Sequence, residues 1–402
     1  MARRRAMVLA LMSFAATACS AASPDTSDTE LATEALFGGH CYTFVDLGVR
    51  SLGVAPGSRG AAGDINARGD IIGRYFRPYL GTGRVPRAFI WRDGQVADLG
   101  SLGGPTTSAA DINDRGQVVG SSLTAVVDGA NHAFLWERGT MRDLGTLVGH
   151  DGFSVATAIN DAGDVVGISG TATGAVHAVL WRKGAIVDLG VLPGYANSYP
   201  RAINARGDIV GESFTSGPGR AFLYRDGVMT DLGLLPGYGT MSVVDVNDRG
   251  DVIGAAWSSD LTRTGAFLYR DGALIDLGAR ASATSSYPHA INARGDIVGT
   301  ADQRAFLWTA DSARDLGVLP GDQNGSAAIA INAAGLIAGA SYGESGVDAT
   351  PVVWRRGIMH VLPGPSGGPS SINPRGDMVG GVWEDGTLYP ALWRRGPCGR
   401  KR

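Results

Sequence analysis

The chain has 402 residues, 44% of them hydrophobic, and a formal net charge of −3. That hydrophobic content excludes an intrinsically disordered chain. The weak negative charge gives no global drive toward nucleic acid, and the low lysine content (Lys183 and Lys401 only) adds none.

The first residues read as an export signal. A basic "MARRR" precedes an apolar run that ends near Ala18 and is too short to span a bilayer as an anchor. Ala16, Thr17 and Ala18 fit ordinary signal cleavage. They also resemble a bacterial lipobox, in which Cys19 becomes the lipidated N-terminus. Lipidation is favoured because a small, polar stretch follows Cys19 as a tether would; a trimmed or free Cys19 on a secreted protein is the alternative. Loss of Arg3, Arg4 and Arg5 takes the charge of the mature chain to −6. The chain thus divides into a signal (1–18), a flexible tether (19–40), a repeat domain (41–398) and a basic tail (399–402).

The repeat domain writes one phrase eight times. "INARGDIIG" at 65–73 returns as "INDRGQVVG" at 112–120, "INARGDIVG" at 203–211 and "INARGDIVG" at 291–299, with its Asn at 66, 113, 160, 204, 247, 292, 332 and 373. A second phrase follows each copy, as in "RAFIWRDG" from Arg87 and "HAFLWERG" from His132. A third, D-L-G, begins at Asp46, Asp98, Asp143, Asp188, Asp231, Asp276 and Asp315, with a worn version at His360. Such periods mean a repeat architecture. Each unit reads as four short strands: one ending in Ile-Asn, a tight N-x-x-G turn, "DIVG", a variable loop, "AFLW", an Asp-Gly hairpin turn, and a last strand ending in D-L-G. Phe89 and Trp91 lie on one face of their strand and Ala88 and Ile90 on the other, so that strand is apolar on both faces and belongs in a stack of sheets. The expected fold is all-β, an eight-bladed β-propeller with four antiparallel strands per blade. A parallel β-solenoid would use shorter coils and no hairpins.

"FVDLG" at 44–48 has no repeat before it, and the last unit has no fourth strand after it. The two chain ends are therefore expected to share one blade. That pairing brings Cys41 and Cys398 to the same end of the blade, and a Cys41–Cys398 disulfide is expected in an exported protein; the alternative is two unpaired thiols.

"HAFLW" at 132–136, with INxxGDxVG and DLGxLPG, resembles the HAF repeat family of extracellular bacterial proteins over nearly all of 41–396. The resemblance implies export and repetition and transfers no catalytic residue. Val179, Pro351 and His360 depart from its pattern.

No metal or cofactor is expected. Asp64, Asn66 and Asp70, like Asp111 and Asn113, have calcium-like spacing. Other copies, however, carry Ala158, Ala202, Ala290, Ala330 or Ser371, and an Arg follows in most turns, so turn chemistry is the expected role. The repeated D-L-G carboxylate is expected to pair structurally with the Arg after the third-strand aromatic (Arg92, Arg182, Arg225, Arg270). Ser341 in "GASYG" has no helix after it and is not read as a nucleophile. The aromatics from Trp91 to Trp393 read as wedges between blades.

Function is expected on the face shared by strand two–three loops and blade-to-blade loops. Segment 74–87 carries Tyr75, Phe76, Arg77 and Tyr79; 255–265 carries Trp257; blade-to-blade loops bring His150, Asp151, Tyr195, Tyr199, Tyr238 and Tyr287. The leading expectation is a monomeric, surface-tethered, non-enzymatic scaffold for a protein or glycan partner, touching membrane only through Cys19 and not binding nucleic acid. A polysaccharide hydrolase or lyase acting at the channel mouth is the runner-up, and a purely structural envelope protein the third reading.

Overall fold

In a computed structural model, residues 40–398 are described apart from 56, 58, 81–82, 126–128, 218 and 345–348. Cys19, the signal, most of the tether and the basic tail lie outside the described residues. The described chain forms eight four-stranded antiparallel sheets in sequence order. Blade 1 comprises Ala61–Ile65, Ile71–Tyr79, Gly83–Arg92 and Gln95–Asp98. The first strand of each blade contacts the first strands of its neighbours, so these strands ring the central channel.

The eighth blade closes the ring as expected. His40–Asp46 pairs antiparallel with Thr387–Pro397, which continues to Met378–Glu384 and Gly367–Ile372. Cys41 and Cys398 form the disulfide, with Cα atoms 4.8 Å apart.

Each inner strand carries a β-bulge two or three residues before its Asn, as between Ala62 and Asp64 or Pro200 and Ala202. The bulge pushes a carbonyl toward the next strand. This is why "DIVG" ends in glycine: a Cβ on Gly211 would lie 2.2 Å from the Tyr199 carbonyl oxygen and 2.6 Å from the Phe222 ring. The third-strand aromatics wedge between blades. Trp354 of blade 7 packs with Val298, Ala305 and Leu316 of blade 6, and its indole N–H donates to the Leu316 carbonyl at 2.9 Å. Trp308 and Trp393 reach back to the Leu277 and Pro363 carbonyls in the same way.

Candidate functional site

One mouth of the channel is closed by the repeated asparagine. In blade 1, Asn66 Oδ1 accepts from the Arg68 and Asp70 amides, which holds the turn. Its Nδ2 donates to the Asn113 carbonyl of the next blade at 3.0 Å. Asn113, Asn160, Asn204, Asn247, Asn292 and Asn332 each donate onward in turn, and Asn373 returns to the Asn66 carbonyl at 3.3 Å. The amides thus form one closed circuit. The oxygens that suggested calcium are occupied by the turns.

Two carboxylates stand side by side at this mouth. Asp64 and Asp111 occupy equivalent positions on adjacent blades, near enough for the charge of Asp64 to act on Asp111. Asp111 Oδ1 accepts from the Ile112 amide at 2.7 Å and Oδ2 from the Ile159 amide of blade 3 at 2.8 Å. Burial pushes Asp111 up to about 7, with the nearby Asp64 charge adding to the rise. Asp245 makes the same bond to its following amide, Val246, and burial lifts it to about 6. These groups staple inner strands together.

The arginine after the third-strand aromatic does not meet the D-L-G carboxylate. Arg92, Arg182, Arg225 and Arg270 pair with Asp70, Asp164, Asp208 and Asp251 of the inner turn, at 2.7–2.8 Å. The expectation fails because Arg92 faces Gln95, the first residue of the outer strand Gln95–Asp98, whereas Asp98 at its other end faces Phe89, roughly 10 Å away at the strand rise. Burial alone would raise Asp70, but hydrogen bonds from Arg92 and Asn66 and the charge of Arg68 hold it below the usual range. The D-L-G carboxylates bond their own loops, Asp98 to the Gly100 amide at 2.6 Å, and pair with the residue that opens the second phrase: Arg87, His132, His177, Arg220 or Arg304. Asp276 instead caps a short helix, Leu277–Ala281. Ser341 is fully buried, and its Oγ accepts from the Leu319 amide.

The opposite mouth is where the repeat breaks down. Segment 74–87 is not a loop but the far end of a long hairpin, paired from Tyr75–Arg87 to Tyr79–Gly83. Tyr75 is 1% exposed, and its hydroxyl donates to Asp98, so it belongs to the core and not to a ligand surface. Phe76 is half-buried, Arg77 exposed and Tyr79 42% exposed. Tyr195 and Tyr238 stay on blade-to-blade loops but lean on the cores of blades 4 and 5; Arg263 stacks over Tyr238 at 5.5 Å. His150 and Asp151 are exposed, and Trp257 is half-buried at the end of Val252–Trp257.

Tyr199 and Tyr287 lie on inner strands, Asn197–Ile203 and Ser286–Ile291, and not on loops. Arg201 stacks over Tyr199 at 5.0 Å and reaches Glu212 at 3.0 Å. Glu212 also accepts from Ser242 Oγ and the Val243 amide of blade 5. Tyr287 is 36% exposed, meets His289 edge-to-face at 5.3 Å and feels the charges of Arg201 and Glu212 two blades away. Sequence reasoning missed Arg201, Glu212, His289, Gln303 and Tyr342. A comparison of inner strands position by position exposes part of this: five residues before the Asn stand Ala61, Ser108, Val155, Ser242, Ala327 and Gly368, but Tyr199 and Tyr287 in blades 4 and 6.

No family model matches the chain, and no curated protein matches it. Among solved structures, the chain is similar to the β-propeller domain of the Trilobed protease from Pyrococcus furiosus, with 8% identity and a TM-score of 0.48 over 76% of this chain and 99% of that one. It is also similar to the Pyrococcus horikoshii acylaminoacyl peptidase, at 10% identity and a TM-score of 0.46, covering 76% of this chain and about half (52%) of that one. A third is the six-bladed fungal lectin from Aleuria aurantia, at 11% identity and 0.30, covering 54% and 76%. At these values nothing of what those proteins cleave or bind transfers, and the count of eight blades comes from the sheets themselves.

Proposed function

We propose that the chain is an exported propeller, anchored through lipidated Cys19, that captures a protein or glycan partner on the mouth opposite the asparagine circuit. The observation that carries this reading is the contrast between the two mouths. One repeats the same turn around the ring. On the other, blades 1, 4 and 6 depart from the repeat and expose Arg77, Tyr79, Arg201 and Tyr287, with Tyr199 half-buried beneath Arg201. Aromatic and arginine side chains supply most of the binding energy at recognition surfaces. The Cys41–Cys398 bridge supports an oxidising compartment, and the HAF-like phrases support an extracellular one. The hydrolase or lyase reading calls for paired carboxylates with free oxygens. Both oxygens of Asp111 are taken by backbone amides, which favours the scaffold role for that pair.

Deleting 74–87 would also remove Tyr75 and Arg87 from Asp98, so point changes are the cleaner test. Arg77→Ala/Tyr79→Ala and Tyr199→Ala/Tyr287→Ala proteins should keep their melting temperature and lose at least tenfold in affinity for the envelope protein or immobilised glycan captured by the unaltered chain. Full capture by both variants would remove this mouth from consideration.

A further inference from the structure

Between blades 6 and 7, on the proposed binding mouth, the middle strands of blade 6 stop short. Ile297–Ala301 and Arg304–Trp308 are five residues each, the shortest pair in the ring. The wall recedes there and opens a cleft of about 460 Å³, within the size range of small-molecule sites. Tyr287, His289, Thr300, Gln303, Asn324 and Tyr342 line it, and no Asp, Glu, Lys or Arg does.

Five polar side chains of this cleft are unspent, while Ser286, Asn324 and Ser326 are hydrogen-bonded within the walls. The hydroxyls of Tyr287, Thr300 and Tyr342, the ring nitrogens of His289 and the Gln303 amide have no hydrogen-bond partner among the described residues, although His289, Thr300 and Tyr342 are half-buried. Burial lowers His289, which keeps its ring neutral at neutral pH. The walls are held firmly. Asn324 Nδ2 donates to the Gly343 and Glu344 carbonyls at 2.7 Å, and the Gln303 carbonyl accepts from the Ser326 amide at 3.0 Å. Gln303 itself sits at φ 65°, beside Asp302 at φ 43°, in a two-residue turn that ordinarily takes Asn-Gly. Asp302 has a structural reason to be there, since it accepts from Thr284 and Ser285. Gln303 has only a backbone one, at a conformational cost, and the residue lines the cleft.

We infer that this cleft is a subsite for a neutral saccharide, binding a pyranose ring between the Tyr287 and Tyr342 side chains. An uncharged lining leaves a charged ligand without a counter-ion. Aromatic faces suit the C–H face of a sugar ring, and amide, hydroxyl and imidazole groups suit its hydroxyls. This deepens the proposed binding role and rests on it.

The test uses the full mature chain and a panel of neutral methyl pyranosides, neutral oligosaccharides and uronic-acid oligosaccharides, free and immobilised. At least one neutral sugar should shift the His289 ring resonances. Tyr342→Ala and Tyr287→Ala should each weaken its affinity tenfold or more, Tyr342→Phe by roughly twofold to tenfold for one lost hydrogen bond, and Val228→Ala, exposed on the outer strand of blade 4, not at all. A response to free pyranosides identifies a soluble sugar; a response to immobilised chains alone identifies a polysaccharide end. Binding of acidic sugars only, or neutral-sugar binding unchanged in the Tyr287 and Tyr342 variants, overturns the inference. Partner capture lost through Arg77 and Tyr79, with no sugar shifting His289, overturns the sugar subsite while leaving the scaffold role standing. Loss of neither defeats both.

Discussion

Asn204 holds its own turn through Oδ1 and leans on blade 5 through Nδ2, because a carboxamide places an acceptor and a two-proton donor on separate atoms of one short side chain. Asn204→Asp keeps the acceptor, removes the donor and buries a charge. It should lower stability by about 1–3 kcal/mol in denaturant unfolding, more than Asn204→Asp-type changes at exposed positions do. A loss below 0.5 kcal/mol, at the scale of an ordinary surface change, would mean that the circuit is decorative. Asp64 gives a second residue-scale test. Its Oδ1 accepts from the Ile65 amide and Ser371 Oγ, so Asp64→Asn keeps those bonds and removes the charge that acts on Asp111. Asp111 is raised above its unfolded value near 3.9, so its contribution is complete below that pH and is lost as pH rises through about 7. Asp64→Asn should therefore stabilise by about 1–2 kcal/mol at pH 8, with little change at pH 4, when melts are compared at the two values. An unaltered pH slope would contradict the charge coupling between the two aspartates.

At the scale of the element, four strands per unit were readable because turn signals and alternation agree: Asp93 and Gly94 make the hairpin, with φ 50° and 84°, and Ile65 and Ile71 fill the core. The site was read less well. Sequence marks 74–87 as a loop because it interrupts the repeat, but cross-strand pairing extends both strands to Gly83; alternation then turns Tyr75 inward between Arg74 and Phe76, and Arg77, on the same face, is exposed further out along the hairpin. Tyr199 and Tyr287 were found by residue type but placed on loops, since no local signal shows that the inner strand begins before them. His289 and Tyr342 were invisible because they belong to different blades and meet only across the cleft. Arg92 was matched to the wrong aspartate because proximity along the chain favoured Asp98 over Asp70, which is distant in sequence and 2.8 Å away in space.

At the scale of the molecule, closure rests on several independent contacts. Seven register pairs join His40–Asp46 to the last strand. Ser370 Oγ donates to the Ala62 carbonyl, Arg50 pairs with Glu384 and stacks over Tyr389 at 4.0 Å, and Arg394 lies over Trp91 at 5.3 Å. The disulfide adds a covalent link across 357 residues. Cys41→Ser/Cys398→Ser should keep the far-UV spectrum and lose about 2–5 kcal/mol of stability, read from its unfolding midpoint. Equal midpoints for the two proteins, with the bridge confirmed by mass in the unaltered one, would show that the non-covalent seam suffices alone.

The bridge between Cys41 and Cys398 has a consequence for life among proteases. With beginning and end stitched together, the backbone has become a loop in the topological sense, and a single cut in any surface turn cannot release a fragment. A molecule nicked between these cysteines is two segments held by the bridge, its blades still in order and still one covalent body.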